Sequence, residues 1–519
     1  MRYQKAPYRA PFRAPYTRPI VPTFKPLANP TEEQKAIIDW SRVIVPGSRA
    51  VVKSLAGVGK TTTGIQAMAN APEKADCVCL AFATRNKLDF ERKFSDPRWL
   101  IKTLTGFGFL FLMKAWGRLR LDYNADKNKL LIACPSITQE PQALLMAKQL
   151  LNFVQSTCVG IPSMETLAKI ANDKGFTCDD KREKLGWTIE KLCQAVTGAL
   201  TLAMQRPNDG GISFGDMNWS AVAAGLVRPS FDFILTDEAQ DTNELTKELV
   251  RRALRDNGRE ILLGDDNQAI YGFRGSIPNA MELFISEKPS EIFTLSETFR
   301  CGKNIVEHAK QLVPEYRANS GNIDGEVVPS ESVENMIKSA TPGRDAILSR
   351  TNAPLMRHCL GFIAKGIPAN VEGKDIGKEL ENRIKEIGGA NVSEFIGRLN
   401  VWQQTKIAKL SGWNATAKAE RINDDAETLR VLAESCASDE LNEMTTKIRN
   451  IFTDSEDRAR PVVVLSTVHK AKGLEWPRVS VLTETFSRIR VETPEQAKEE
   501  QNVRYVAWTR PKERLAFVS

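Results

Sequence analysis

Two short segments carry residues that could bind and cleave a nucleoside triphosphate. The glycine-rich run Ala56-Gly-Val-Gly-Lys-Thr-Thr62 follows the apolar segment Val51–Leu55. This pattern predicts a strand, a loop whose backbone N–H groups face phosphate oxygens, and a helix whose N-terminus adds its dipole. Lys60 would neutralise the β- and γ-phosphates. The predicted nucleotide-binding residues of this loop are Ala56, Gly57, Val58, Gly59, Lys60, Thr61 and Thr62.

The second segment is the acidic pair Asp237-Glu238, which ends the apolar run Phe231–Thr236. Acids at the carboxyl end of a buried strand lie where open α/β sheets bind ligands. We expect the Thr61 hydroxyl and Asp237 to hold Mg²⁺, and Glu238 to orient and deprotonate the attacking water. Alternatives are a glycine turn before a structural helix and a solvated acidic turn. Ser54 stands where the full phosphate-loop pattern G-x-x-x-x-G-K-[ST] has its first glycine.

Composition describes an ordinary globular protein. The chain has 519 residues, of which 42% are hydrophobic and 26% charged, so about three to four domains are expected. It contains no apolar run of about 18 residues that could span a membrane. Nine cysteines lack metal-ligand spacing, and Cys77-Val-Cys79 lies inside an apolar run. We expect a reducing compartment, either cytoplasmic or nuclear.

The net charge of +8 is concentrated at the N-terminus. Residues 1–30 carry six basic residues and no acidic ones, and prolines at 7, 11, 15 and 19 alternate with Tyr8, Phe12 and Tyr16. Such a segment, residues 1–29, is expected to be extended. It could be a solvated leader, a tether that binds nucleic acid through arginine and aromatic stacking, or a docking peptide for a partner protein.

Hydrophobic periodicity predicts an α/β fold with two parallel-sheet cores, each carrying a mainly helical insertion. Predicted strands of the first core lie at 50–55, 77–83, 231–236 and 260–264, and those of the second at 291–295, 345–349, 461–467 and 478–483. The predicted domains are 30–107 with 215–290, an insertion at 108–214, a second core at 291–378 with 456–519, and an insertion at 379–455.

Eight sequence blocks from residue 29 onward resemble, in order, the motifs of the UvrD/Rep family of superfamily 1 helicases. These blocks are Pro30–Gln34, Leu80–Arg85, Thr103–Gly108, Asp237–Asp241, Gly264–Arg274, Leu295–Arg300, Ser466–Trp476 and Tyr505–Arg510. The resemblance implies two RecA-like domains, 1A and 2A, with insertions 1B and 2B. Its most specific block is Gly264-Asp-Asp-Asn-Gln-Ala-Ile-Tyr-Gly-Phe-Arg274.

The resemblance also implies roles at the nucleotide. Arg300 and Arg510 would reach the γ-phosphate from the second core, so that hydrolysis follows closure of a cleft between the cores. The alternative for both arginines is a surface salt bridge. The remaining implied roles are adenine recognition by Gln34, adenine stacking by Phe299, ribose binding by Glu475 and γ-phosphate sensing by Gln268.

On the polynucleotide, Phe82, Tyr271 and Phe273 are candidates for stacking on bases, a contact that tolerates any sequence. The alternative for these aromatic residues is core packing. Candidates for binding backbone phosphates are Arg85, Thr103, His469 and Lys472.

Two departures favour a compact branch of the family, as in phage-encoded or F-box-type helicases. Only 166 residues separate Arg300 from Ser466, which implies a reduced 2B insertion. The chain ends nine residues after Arg510, so no appended nuclease is expected.

The function expected from the resemblance is an ATP- and Mg²⁺-dependent DNA helicase or translocase. It would act on single-stranded DNA and strand junctions, as a monomer and with 3′→5′ polarity. Alternatives are a translocase that only displaces bound proteins, an ATP-gated scaffold, and RNA as the substrate.

Overall fold

The computed structural model describes residues 23–43, 45–176, 187–272, 277, 279–408, 410, 415–453, 461–487, 491 and 493–519. The predicted stacking residue Phe273 and residues 1–22 of the predicted tail lie outside these ranges. The chain divides into two compact units. Among the described residues, the first comprises those up to Ser54 and those within Gly59–Ala171 and Phe176–Leu295, and the second comprises those within Leu55–Val58, Asn172–Gly175 and Ser296–Ser519.

The first unit is built on a six-stranded sheet of order β10-β2-β9-β8-β3-β5, in which every pairing is parallel. Its central strands are apolar runs buried on both faces, as parallel sheets require. The strands of this unit are β1 Thr23–Phe24, β2 Arg49–Ser54, β3 Cys77–Ala81, β4 Phe94–Ser95, β5 Trp99–Thr103, β6 Arg120–Leu121, β7 Gly211–Ile212, β8 Phe231–Thr236, β9 Leu254–Gly264 and β10 Glu291–Leu295.

Helices cover this sheet and form the predicted insertion. Apolar residues of the sheet, such as Val78 and Ile234, share one core with insertion residues such as Leu150 and Leu200. The insertion therefore stabilises the sheet directly. The helices are α1 Glu32–Arg42, α2 Lys60–Ala69, α3 Thr84–Lys93, α4 Leu104–Trp116, α5 Ala125–Ala133, α6 Pro141–Thr157, α7 Met164–Asp173, α8 Ile189–Ala203, α9 Asp216–Ala223, α10 Glu244–Ala253 and α11 Ala280–Glu287.

The second unit is built on a seven-stranded sheet of order β13-β19-β18-β14-β17-β15-β16, again parallel throughout. The predicted fold class is thereby confirmed: both sheets are parallel and both carry helical insertions. The strands are β11 Glu297–Thr298, β12 Arg317–Ala318, β13 Glu326–Glu331, β14 Asp345–Ser349, β15 Ala369–Glu372, β16 Phe452–Thr453, β17 Val463–Thr467, β18 Trp476–Leu482 and β19 Pro511–Val518.

A second core joins this sheet to its own insertion. Ile347 and Leu465 of the sheet belong to the same cluster as Phe395, Leu429 and Ile448 of the insertion helices. No helix within the described ranges is long and apolar enough to cross a membrane. The helices are α12 Lys303–Ala309, α13 Val333–Ser339, α14 Asn352–Ala364, α15 Lys374–Ile387, α16 Val392–Ala408, α17 Ala415–Glu434, α18 Leu441–Ile451, α19 Val468–Ala471, α20 Glu484–Ser487 and α21 Pro494–Trp508.

The strand at 291–295 corrects the predicted boundary between the two cores. We expected this strand to open the second sheet, but β10 pairs with β2 of the first, with Ile292 opposite Val51 and Leu295 opposite Ser54. The first unit accordingly extends to Leu295. Hydrophobic periodicity predicts that a segment is a strand. Which sheet the strand joins depends on where an unpaired sheet edge lies in the assembled structure.

Candidate functional site

The glycine loop joins the end of β2 to the start of α2, as predicted. Gly57 and Gly59 have φ angles of +70° and +78°, values that residues with a side chain rarely adopt. Gly59 is the N-cap of α2, and its carbonyl accepts the Thr63 N–H at 2.9 Å. Ser54, where the pattern expects glycine, is fully buried and donates its hydroxyl to the Gly264 carbonyl at 3.1 Å. The serine therefore fastens the start of the loop to β9.

Lys60, the first residue of α2, faces the acidic pair at the end of β8. Its Nζ lies 2.6 Å from Glu238 Oε1 and 3.7 Å from Asp237 Oδ1. Burial alone would lower the pKa of Lys60, but Glu238 and Asp237 outweigh burial and raise the pKa above its ordinary value. The lysine therefore stays charged at neutral pH, as a phosphate-binding cation must.

Asp237 is almost completely buried, with 1% of its side chain exposed. Its Oδ2 accepts a hydrogen bond from Asn86 Nδ2 at 3.3 Å, whereas Oδ1 has no hydrogen-bond partner. Burial raises the pKa of Asp237 to about 6 although Lys60 opposes the shift. A buried carboxylate oxygen without a hydrogen bond fits a Mg²⁺ site. Among the described residues no three His, Cys, Asp or Glu side chains cluster as ligands, and Mg²⁺ usually takes one or two carboxylates plus phosphates and water.

Glu238 has a left-handed backbone, with φ 56° and ψ 44°. A residue other than glycine in this region carries strain of about 1–3 kcal/mol, which is common at functional sites. Both carboxylate oxygens are held: Oε1 by Lys60, and Oε2 by Gln240 Nε2 at 2.5 Å. The predicted base is thus fixed in one orientation beside the loop.

Gln268, the predicted γ-phosphate sensor, follows β9 in a short 3-10 turn, Asp266–Gln268. Its Nε2 donates to Asp265 Oδ2 at 2.7 Å, and Asp265 Oδ1 accepts the Asn267 N–H at 3.0 Å. Burial raises the pKa of Asp265 to about 6, with Gln268 and Lys60 opposing the shift. The end of β9 therefore supplies a second buried carboxylate that, like Asp237, interacts with the charge of Lys60.

Gln34, the predicted adenine reader, is buried and forms a capping box at the start of α1. Thr31 Oγ1 accepts the Gln34 N–H at 3.2 Å, and Gln34 Oε1 accepts the Thr31 N–H at 3.1 Å. A side chain on Gly59 would lie 3.1 Å from Gln34 Nε2, so the amide reaches the glycine loop. The capping role was missed, although the spacing T-x-x-Q is its known signature.

Two tyrosines of the second unit hold the peptide groups on either side of Ala56, a contact that sequence reasoning missed and that has no local signature. The Ala56 N–H donates to the Tyr505 hydroxyl at 3.2 Å, and the Ala56 carbonyl accepts from the Tyr316 hydroxyl at 2.9 Å. The two rings pack edge to face at 5.8 Å. In the same unit, the Phe299 N–H donates to the Gly57 carbonyl at 3.0 Å. Hydrogen bonds with Tyr505, Tyr316 and Phe299 therefore hold Ala56 and Gly57, the first two residues of the glycine loop.

Arg300 pairs with Glu475, so the structure brings two predicted nucleotide-binding residues together. Arg300 Nε lies 2.7 Å from Glu475 Oε2, and Lys512 Nζ lies 2.7 Å from the other carboxylate oxygen. Burial opposes charge on both partners, but their attraction raises the pKa of Arg300 and lowers that of Glu475 to about 2. Phe299, the predicted adenine-stacking residue, is 45% exposed, and its contact with adenine stays a prediction.

Arg510 is buried inside the second unit and is not a surface residue. It is 1% exposed, and its Nε and NH1 donate to the carbonyls of Val506 and Leu474 at 2.9 and 3.3 Å. These bonds hold the guanidinium against the end of α21 inside the second unit. Its predicted action on the γ-phosphate stays a prediction.

The predicted polynucleotide contacts of the first unit lie at the carboxyl end of β5 or after the carboxyl ends of β3 and β9. The Phe82 and Tyr271 rings stack on each other, with centroids 5.6 Å apart and 17° between their planes. Both are half-buried, and Arg85 is exposed. Thr103 caps α4, its hydroxyl accepting the Gly106 N–H at 3.1 Å. The Phe82–Tyr271 pair is thus partly buried and partly accessible to solvent.

In the second unit, His469 and Lys472 belong to the turn of α19 and the residues after it. His469 is half-buried and Lys472 lies beside it in the same turn. The neighbouring Lys470 pairs with Asp375 at 2.5 Å. Their contact with a polynucleotide stays a prediction.

Sequence comparisons agree with this architecture. A family profile described as the UvrD-like helicase C-terminal domain matches residues 231–519, more than half of the chain. F-box DNA helicase protein 1 of Schizosaccharomyces pombe is 23% identical over 536 residues, which cover 93% of this chain and 57% of that protein. DNA helicase II of Escherichia coli is 34% identical over 140 residues, covering 25% of this chain and 19% of that protein. ATP-dependent DNA helicase UvrD2 of Mycobacterium tuberculosis is 24% identical over 339 residues, covering 57% and 48%.

Two parallel-sheet units, a glycine loop that enters a helix and an acidic pair at the end of a buried strand define a protein of the phosphate-loop class. Together with the profile match, they place the protein more narrowly. The chain belongs to the UvrD-like helicase family. It spans about half the length of the first relative and less of the others.

Proposed function

We propose that this chain hydrolyses ATP with Mg²⁺ and uses the reaction to move along single-stranded DNA and separate strands, with 3′→5′ polarity. One observation carries the proposal. A charged lysine at the start of α2 lies 2.6 Å from Glu238 and 3.7 Å from a buried Asp237 oxygen that has no hydrogen-bond partner. This is the arrangement that a metal-bound triphosphate needs.

Each residue then has a defined task. Lys60 binds the β- and γ-phosphates, and Thr61 and Asp237 would hold Mg²⁺, which would offset phosphate charge. Glu238 accepts the proton of the attacking water once Lys60 turns from the carboxylate to the phosphates.

Arg300 is assigned to the γ-phosphate, as the family resemblance implies, and its position against Gly57 of the glycine loop supports this role. A side chain on Gly57 would lie 2.6 Å from Arg300 Cβ, within the second unit. Its partner Glu475 is assigned to the ribose, Phe299 and Gln34 to the adenine, and Gln268 and Arg510 to the γ-phosphate, as the family resemblance implies.

For the polynucleotide, the Phe82–Tyr271 stack supports base contact. Aromatic rings that already stack at 5.6 Å can accept a base as a further member of the stack. Phe273 is assigned to the same contact, and Arg85, Thr103, His469 and Lys472 to phosphates. A protein-displacing translocase is the second candidate, because the insertion in the second unit is short.

The decisive experiment is steady-state ATP turnover with and without single-stranded DNA, followed by unwinding of duplexes with a 3′ or a 5′ overhang. We expect DNA to stimulate turnover and only the 3′ overhang to support unwinding. Turnover that does not respond to DNA would favour the ATP-gated scaffold instead. Displacement of a protein bound to DNA, without unwinding of a forked duplex, would favour the translocase.

A further inference from the structure

Gln240 has no part in the mechanism above, yet it is fully buried beside the proposed base. It lies in the 3-10 turn Ala239–Asp241 that follows the acidic pair. Its Nε2 donates to Glu238 Oε2 at 2.5 Å, and its Oε1 accepts the Asp265 N–H at 3.0 Å. The amide therefore bridges the end of β8 and the end of β9.

The chemistry of its two partners determines the orientation of this amide. A backbone N–H can only donate, so the atom facing Asp265 must be an acceptor. An ionised carboxylate can only accept, so the atom facing Glu238 must be a donor. Glutamine meets both needs at this length. Asparagine is one methylene shorter, and methionine offers neither group.

The surrounding backbone leaves little space for any other arrangement. A side chain on Gly264 would lie 2.8 Å from Gln240 Oε1 and 3.1 Å from its backbone nitrogen. The strained φ of 56° at Glu238 also needs support from its neighbours, since such conformations persist only where the surrounding structure enforces them. Gln240 supplies part of that support.

The hydrogen bonds continue beyond Asp265. Its carboxylate accepts from Gln268 Nε2 at 2.7 Å, and Glu238 accepts from Lys60 at 2.6 Å. An unbroken series of polar contacts thus runs from Lys60 through Glu238, Gln240 and Asp265 to Gln268. All five residues belong to the first unit.

We propose that Gln240 is a positioning residue for ATP hydrolysis, which holds the Glu238 carboxylate ready to accept a proton and ties it to Gln268 through Asp265. The inference rests on the proposed function. Lys60 leaves Glu238 for the phosphates when ATP binds, whereas Gln240 keeps its hydrogen bond. Its removal should therefore lower kcat and leave ATP affinity nearly unchanged.

The first variant is Gln240→Met, which keeps the side-chain length and removes both hydrogen bonds. Loss of a residue that orients a catalytic group costs about 10–100-fold in activity, by analogy with the residues that support metal ligands. We expect kcat to fall by that factor. The Kd of a non-hydrolysable ATP analogue should change by less than about threefold.

Gln155→Met is the matched control. Gln155, on α6 of the helical insertion, is also buried, at 1% exposure, and its Nε2 donates to the Asp216 carboxylate at 2.7 Å. We expect a similar loss of thermal stability and unchanged kcat. An equal fall of kcat in both variants would show that Gln240 acts only through folding, and would overturn the proposal.

The pH dependence of kcat in Gln240→Glu distinguishes a role of Gln240 in positioning Glu238 from a role in packing alone. Two carboxylates that share a site raise the pKa of one of them. Below that pKa the two carboxyl groups share one proton, and the group introduced at position 240 can then donate to Glu238 as the amide does. Above that pKa the two negative charges repel. We expect kcat of this variant to approach the wild-type value at low pH and to fall as pH rises, relative to wild type.

The outcomes distinguish the inference from the function on which it rests. A wild-type chain without ATPase activity would refute the proposed function itself. Normal ATPase activity in Gln240→Met, or a pH profile of Gln240→Glu parallel to wild type, would refute the positioning role alone. If Gln240→Met fails to fold, the pH profile of Gln240→Glu decides.

Discussion

Lys60 Nζ lies 2.6 Å from Glu238 Oε1, and this ion pair joins the helix after the glycine loop to the acidic end of β8. The two residues are 178 positions apart in the chain. The pair is partly buried, so each charge depends on the other for its solvation. A triphosphate that draws Lys60 away therefore also releases Glu238 to act on water.

Lys60→Ala should abolish ATP hydrolysis. The substitution removes the cation that faces the acidic pair, and loss of one group that stabilises the transition state costs about 100-fold or more. Steady-state phosphate release measures the effect. Lys53→Ala is the control, because Lys53 lies on β2 just before the loop and pairs with the exposed Glu282. A Lys60→Ala variant with wild-type turnover would remove the basis of the proposed site.

Glu238→Gln should bind ATP without cleaving it. The amide keeps the shape of the side chain but cannot accept a proton from water. Retention of labelled ATP on the protein, with turnover reduced by about 100-fold or more, is the expected result. Rapid turnover by this variant would contradict the assignment of Glu238 as the base.

Asp237→Asn should make stability less dependent on pH. Burial raises the pKa of Asp237 to about 6, above the ~3.9 of an unfolded aspartate. Between about pH 4 and 6 the folded state binds more protons than the unfolded state, so the free energy of unfolding falls as pH rises. The variant removes this contribution and should also lose Mg²⁺-dependent turnover.

Thermal unfolding across this pH range, without nucleotide or Mg²⁺, measures the Asp237→Asn effect. Asp324→Asn, at a side chain that is 84% exposed, controls for loss of a surface carboxylate. If Asp237→Asn reproduces the wild-type pH dependence, then Asp237 does not titrate as its burial requires.

Tyr316→Phe and Tyr505→Phe should each loosen the glycine loop. Each variant keeps the ring and removes the hydroxyl that contacts the Ala56 peptide groups. An unsatisfied buried peptide group costs about 1–3 kcal/mol. We expect a lower melting temperature and a higher KM for ATP. Tyr123→Phe, at an exposure of 89%, is the control. If all three variants have the same melting temperature and the same KM for ATP, then the hydrogen bonds to Ala56 do not stabilise the loop.

Deletion of residues 1–22 should weaken binding to single-stranded DNA if the N-terminal segment is a tether. This cut removes five basic residues and spares β1, which pairs with β4. The slope of log affinity against log salt should fall by about 0.7 for each phosphate that the shortened chain no longer binds. A full-length chain with these five residues changed to glutamine should behave like the deletion, and an unchanged slope in both would exclude the tether.

The sequence by itself determined the parts whose signal is local. The strands β2, β3 and β8 and the last residues of β9 are short, mainly apolar and buried, and burial on both faces of a parallel sheet leaves that pattern in such segments. The glycine loop before Lys60 could be predicted equally well, since its turn needs glycine and a bound phosphate needs a cation. These residues lie within a few positions of one another, so their spacing carries the information.

Tertiary structure decided the contacts between distant residues. The placement of β10 beside β2, the bridge from Gln240 to Asp265 and the hydrogen bond between Tyr505 and Ala56 span 25 to 449 positions in the chain. A glutamine in a turn or a tyrosine in a helix has the same local pattern whatever it contacts. Such partners are fixed only when the sheets assemble and each buried polar group must find a hydrogen bond.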